Sequence, residues 1–136
     1  SKVGFINIKK EKKNAHTYID KLRIKTPSVK QRVKNLSGGN QQKVVFGKWL
    51  CGNSRIFIFD EPTVGVDVGA RFEIYKIIEQ ILEQGNSVIL VSSYLPEIIG
   101  LTDKAIIFYE GENMGCISEP DYEEEKLLNL ASGIRA

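Results

Sequence analysis

Four consecutive apolar residues, Ile56-Phe57-Ile58-Phe59, run directly into two carboxylates, Asp60 and Glu61. Few folds accommodate both halves of that segment. A short unbroken apolar run suits a parallel strand covered on both faces, because a half-exposed strand would alternate apolar and polar residues. An acid at the tip of such a strand is costly to bury unless a cation meets it. The segment therefore asks for an open α/β sheet whose carboxyl ends face a ligand groove.

The flanking pattern agrees. Ser37 is a good N-cap for a helix running to about Leu50, and Gly52-Asn53 is a good stop. Ile74, Ile77, Ile78, Ile81 and Leu82 form one helical stripe between Gly69 and Gln84, and Gly85 ends it. Residues 88–91 and 105–109 are further apolar runs, with Pro96 placed for the first turn of a short helix reaching Gly100. Residues 110–113 read as a hairpin turn into a short strand at 114–117. A last helix over 122–130 opens with acidic residues at its favourable end. Upstream, Ala15, Tyr18, Ile19 and Leu22 have helical spacing within residues 15–24, with Pro27 as the expected stop. Residues 26–35 read as a polar linker, and residues 3–8 as a short strand or an extended lead-in. This order predicts a three-layer α/β fold with a mostly parallel sheet.

Charge and composition narrow the function classes. No stretch approaches the roughly 20 apolar residues of a membrane-spanning helix. Cys51 and Cys116 lie far apart, outside any metal-ligand spacing, and read as reduced thiols. Residues 1–35 hold eleven Lys/Arg against Glu11 and Asp20. A nucleic-acid groove would interleave several aromatic side chains with such charge; Phe5 and Tyr18 alone make no such platform, so the segment reads as a solvated helical surface and no nucleic acid is expected as partner. The single histidine, His16, falls in that surface.

A second motif, Leu36-Ser37-Gly38-Gly39-Asn40-Gln41-Gln42-Lys43, carries the chemistry. Two glycines let a backbone approach an anion, a serine hydroxyl beside them can donate, and the helix that follows aims free N–H groups the same way. That is a phosphate-binding device. Asp60 at the strand tip suits Mg²⁺, as in P-loop ATPases, and Glu61 beside it suits orienting or deprotonating a water.

Together these residues resemble the ABC ATPase family. Residues 36–42 are similar to its signature, residues 56–61 to its Walker B motif, and Gly65-Val66-Asp67 to its D-loop. The likeness extends through residues 69–75 and 91–98, in wording close to the C-terminal ATPase half of simple-sugar importers of the ribose and galactose type. The resemblance implies a partial P-loop ABC ATPase domain: residues 1–35 as a remnant of the helical subdomain and its linker, and residues 36–136 as the C-terminal part of the core. It implies ATP and Mg²⁺ as cofactors, with ATP held between two modules. Ser37, Gly38, Gly39 and Gln41 would meet the γ-phosphate of the partner's nucleotide. Asp60 would serve Mg²⁺, Glu61 would serve the water, and Asp67 would couple the two sites. The implied partners are a second ATPase half and membrane permease subunits, on the cytoplasmic face of the cell membrane.

Two departures stand out. No G-x-x-x-x-G-K-[ST] loop occurs in the chain, so it is not expected to bind ATP well or hydrolyse it alone; that loop would lie upstream of Ser1. The switch histidine of the family would fall at Ser93, and a hydroxyl cannot relay a proton as an imidazole does. In this fold the phosphate-loop strand sits between the strands at 88–91 and 105–109. Without it two edges are left open, and self-association, segment swapping or closure of the gap is expected. Competing readings are a DNA-repair or chromosome-type ABC ATPase, which would carry long insertions between Ser37 and Asp60 that are absent here, and a non-catalytic ABC-like module.

Overall fold

The computed structural model describes residues 7–134. Its order is α1 (Ile8–Lys21), a 3₁₀ turn (Val33–Asn35), α2 (Gly38–Leu50), β1 (Ile56–Asp60), α3 (Val68–Glu83), β2 (Ser87–Val91), α4 (Leu95–Leu101), β3 (Lys104–Tyr109), β4 (Glu112–Ser118) and α5 (Glu124–Ala131). The alternation of helix and strand expected from the apolar runs is present. The expected element at residues 3–8 lies mostly outside the described residues, and Ile8 itself opens α1.

The chain divides into two compact units, one of residues up to Phe57 with Pro62–Val88, the other of Ile58–Glu61 with residues from Ile89 onward. In the first, α2 packs on α1 and on α3. Its buried residues include Leu22, Ile24, Phe46, Val66 and the α3 stripe Ile74, Ile77, Ile78 and Ile81. Close packing of α2 on α1 needs Gly47, where a Cβ would come within 3.2 Å of Leu22.

Helix α1 begins earlier than the apolar spacing suggests. The Asn7 side chain accepts from the Lys10 N–H at 3.0 Å, capping a lysine-rich first turn that has good helix propensity but no apolar signal. Pro27 is not its terminator. The helix closes at Leu22 and Arg23, where Arg23 takes φ 50° and the Ile24 N–H donates back to the Ile19 carbonyl at 2.9 Å.

In the second unit, β3 and β4 form an antiparallel hairpin through Glu110-Gly111, both at positive φ, the geometry of a two-residue turn that matches strand twist. Ala105, Ile107, Ile117 and Leu127 make its core, with Leu95, Ile98, Ile99, Met114, Tyr122 and Leu130 packed around them.

Strands β1 and β2 pair in a separate sheet. They run in the same direction: the Arg55 carbonyl accepts from the Ser87 N–H at one end, and the Val91 carbonyl accepts from the Glu61 N–H at the other, each at 2.8 Å. The expectation that β1 is covered on both faces needs correction. Phe57 and Phe59 are buried, but Ile56 and Ile58 are 62% and 68% exposed. The apolar run is suited to two covered faces, and among the described residues only the phenylalanine face is covered.

Candidate functional site

The sequence-derived site residues fall into two groups, one in each unit. The first is the turn into α2. Ser37 occupies the N-cap position with extended backbone, φ −63° and ψ 156°, and is exposed. Its side chain does not cap the helix. Instead the Asn40 Nδ2 donates to Ser37 Oγ at 2.8 Å, while Asn40 Oδ1 accepts from the Lys25 N–H at 2.7 Å. Oγ accepts that bond and keeps its own proton as a donor. The Gln41 side-chain Nε2 donates back to the Leu36 carbonyl at 2.8 Å, which braces the turn. The N–H groups of Gly38, Gly39 and Asn40 have no intrahelical acceptor by position, since a helix satisfies its N–H groups only from the second turn on.

Gly38 and Gly39 are set by protein packing as well as by any anion. A Cβ on Gly39 would lie 2.5 Å from the Ala70 Cβ, and one on Gly38 would lie 3.1 Å from the Gly65 carbonyl. The start of α2 is therefore seated on the turn that leads into α3. In that turn Gly65 has φ 73°, and Asp67 is the N-cap of α3, its Oδ1 accepting from the Ala70 N–H at 2.9 Å. The structure brings Ser37, Gly38 and Gly39 together with the Asp67 turn. Lys43, one turn beyond Gly39, is buried and donates to Glu73 on α3 at 2.5 Å. The hydrogen bond from Lys43 holds the Glu73 carboxyl below its ordinary range.

The second group is the tip of β1. Asp60 ends the strand and is exposed. Glu61 follows with φ 45°, a left-handed conformation that a non-glycine residue takes at a cost of order 1 kcal/mol or more and that recurs where function requires it. That twist aims its carboxylate at the loop after β2, where Oε1 accepts from the Ser93 N–H at 2.7 Å. The two expected catalytic positions, Glu61 and Ser93, are thus in direct contact, through the backbone of Ser93 rather than its hydroxyl. The loop is braced from behind by Glu97, which is buried and accepts from Ser92 Oγ at 2.6 Å; Ser92 Oγ in turn accepts from the Tyr94 N–H at 3.0 Å.

Sequence reasoning placed Asn40 and Lys43 in the signature-like motif and Ser92 at a strand end, but missed their bonds to Lys25, Glu73 and Glu97, and gave Glu97 no role. Asn40 was legible as a neighbour of Ser37. A charged residue that ends up fully buried, as Lys43 and Glu97 do, leaves no mark in a single sequence. His16 is exposed on α1, and both cysteines are free and exposed, as expected. No helix among the described residues is long and apolar enough to cross a membrane.

The residues present fit a phosphate and a magnesium ion. The turn at Ser37 offers an anion an exposed hydroxyl at the start of a helix. Among the described residues no group of three His, Cys, Asp or Glu could cage a metal. A lone exposed carboxylate such as Asp60 suits Mg²⁺, which keeps several waters and takes one or two carboxylates alongside phosphate oxygens.

The family model described as ABC transporter matches residues 3–64, which contain both the signature-like turn and the acidic strand tip. The chain is 46% identical over 133 residues to the xylose import ATP-binding protein XylG of Thermoanaerobacter pseudethanolicus, covering 98% of this chain and 26% of that protein. It is 49% identical over 128 residues to XylG of Moorella thermoacetica, covering 94% of this chain and 25% of that one. The chain thus spans about a quarter of the length of these relatives. Among solved structures, the dimeric MJ0796 ABC transporter cassette superposes with a TM-score of 0.72 at 21% identity, over 88% of this chain and 51% of that chain, a likeness of fold.

Proposed function

We propose, from the premise that this chain belongs to the ABC transporter family and carries part of its ATP-binding domain, that the whole protein is the ATP-hydrolysing subunit of an importer for simple sugars. The observation that carries the reading is the turn at Ser37: a helix start with an exposed serine at its N-cap, seated by glycines on the Asp67 turn. The xylose-import function in the relatives' names narrows the cargo to sugars.

ATP supplies the phosphoanhydride whose cleavage drives transport, and Mg²⁺ offsets the charge on its phosphates. The chain's own residues have separate tasks. Ser37, Gly38 and Gly39 bind the terminal phosphate of a nucleotide held by a second ATPase half. Asp60 holds Mg²⁺, and Glu61 orients a water and accepts its proton, its carboxylate steadied by the Ser93 N–H. Asp67 fixes the start of α3 beside the signature turn, which lets one site sense the other. Gln41 is assigned a bracing role instead of a phosphate contact, on the ground of its bond to Leu36. The assembled protein sits on the cytoplasmic face of the membrane against permease subunits.

The test is the full-length subunit assembled with its permease and assayed for ATP hydrolysis and for uptake of labelled pentoses and hexoses. Ser37→Ala and Glu61→Gln should each abolish sugar-stimulated hydrolysis. Wild-type rates in both variants, or salt-dependent binding to duplex DNA in place of uptake, would overturn the assignment.

A further inference from the structure

Lys43 is 2% exposed, yet lysine is almost never fully buried unless it is paired. Its ammonium meets three elements at once. Nζ donates to Glu73 Oε2 on α3 at 2.5 Å and to the Arg23 carbonyl, just past the end of α1, at 3.3 Å, from its own place on α2. The contact lies on a particular line. Gly39 of α2 touches Ala70 of α3, and the next residues along the same facing ridges are Lys43, four positions on, and Glu73, three positions on.

Two contacts in sequence along a helix pair fix both its sliding and its rotation. The first is a steric seat, where glycine and alanine pack too closely for a further methyl. The second is directional, because an ammonium bonded to one carboxylate and one carbonyl tolerates little displacement, whereas apolar side chains in the same place could slide past each other. Replacing such a pair with apolar residues frequently leaves stability intact, so what the pair supplies here is direction more than stability. The elements it registers are those that carry Ser37, Gly38 and Gly39 at one helix start and Asp67 at the other.

We propose that Lys43, through Glu73 and the Arg23 carbonyl, is the positioning residue that holds the signature turn in register with the Asp67 turn, so that binding at one ATP site sets the geometry of the other. This rests on the function proposed above. Lys43 is buried among protein groups, with its ammonium on Glu73 and the Arg23 carbonyl, so its effect should appear in turnover and not in nucleotide affinity.

The test uses Lys43→Met, Lys43→Arg and Glu73→Gln in the full-length subunit assembled with its permease. Lys43→Met is expected to lower kcat by about tenfold or more while KM for ATP stays within about twofold, the pattern of a lost transition-state geometry. Lys43→Arg, which keeps the charge and donors, should restore most of kcat. In the nucleotide-free protein, amide hydrogen exchange should quicken at residues 38–40 and 67–70 in Lys43→Met and stay near wild type in Lys43→Arg. Should Lys43→Met fail to fold, Glu73→Gln keeps the volume and removes the charge from an exposed position, and the same fall in kcat at constant KM is expected. Unchanged kcat in a folded Lys43→Met or in Glu73→Gln, or exchange that quickens uniformly across the chain, overturns the proposal. A wild-type assembly without ATPase activity, or one indifferent to Ser37→Ala, instead overturns the function on which it rests.

Discussion

The Ser93 backbone N–H donates to Glu61 Oε1 at 2.7 Å, across 32 residues of sequence. Glu61 reaches this bond because its own backbone turns to φ 45° immediately after the strand. A carboxylate held by a backbone donor is oriented without depending on the side chain at position 93. The side chain at position 93, where the resemblance implies a switch histidine and a serine stands, is therefore not what holds Glu61.

Glu61→Gln tests the division between orientation and chemistry. The amide oxygen still accepts from Ser93, so stability should change by no more than about 0.5 kcal/mol. Hydrolysis by the assembled transporter should fall by roughly 10²-fold or more, the usual worth of a general base. Thermal melts and steady-state ATPase rates on the same preparation check both halves.

Ser93→His restores the missing group without touching the backbone bond. Turnover should then acquire a pH dependence centred near about 6.5, the ordinary imidazole value. A pH–rate profile identical to that of the parent would mean that position 93 takes no part in the proton inventory.

Gly39→Ala sets two effects against each other. Alanine favours a helix interior by about 1 kcal/mol over glycine. The new Cβ, however, would sit 2.5 Å from Ala70, and overpacking of that kind costs typically about 1–3 kcal/mol. Net destabilisation is expected, because the opposing atom belongs to the short side chain of Ala70 on α3 and cannot swing aside. Pairing it with Ala70→Gly should recover part of the loss, giving a non-zero coupling in a urea-unfolding double-mutant cycle.

Glu73 gives a pH dependence whose sign follows from its lowered pKa. Its folded value lies below the unfolded one, because the Lys43 hydrogen bond favours the charged form. The stabilisation is therefore complete above the unfolded value of about 4.3 and is lost as pH falls through the folded value. Glu73→Gln should flatten that part of the stability curve. Half of the Glu73 side chain is exposed, so the contribution is screened and should shrink further in high salt.

Much of this architecture was legible because its signals are local. The α3 stripe from Ile74 to Leu82, the turn at Glu110-Gly111 and the acidic tip at Asp60-Glu61 each declare themselves within a few residues. What stayed hidden was long-range pairing. Asn40 reaches Lys25, Lys43 reaches Glu73 and Glu61 reaches Ser93, over separations of 15, 30 and 32 residues that periodicity does not encode. The exposed face of β1 eluded the apolar run for a related reason: Ile56 and Ile58 register suitability for a covering layer, and composition does not say whether one is present. The early start of α1 was missed because its first turn is held by Asn7 and lysines, without any buried side chain.

Ser92 is the remaining test of how the catalytic loop is held. Its hydroxyl donates to the buried Glu97 at 2.6 Å and accepts from the Tyr94 N–H at 3.0 Å, so it links the loop to the first turn of α4. Removing it with Ser92→Ala takes away its hydrogen bond to Glu97 inside the protein and the acceptor of the Tyr94 N–H bond as well, which costs about 1 kcal/mol or more. Because the Ser93 N–H lies between those two anchors, its bond to Glu61 should loosen with them. Faster hydrogen exchange at Ser93 and Tyr94, with the β3–β4 hairpin protected as before, is the expected signature. Equal exchange in the two proteins would show that Glu61 alone holds the loop.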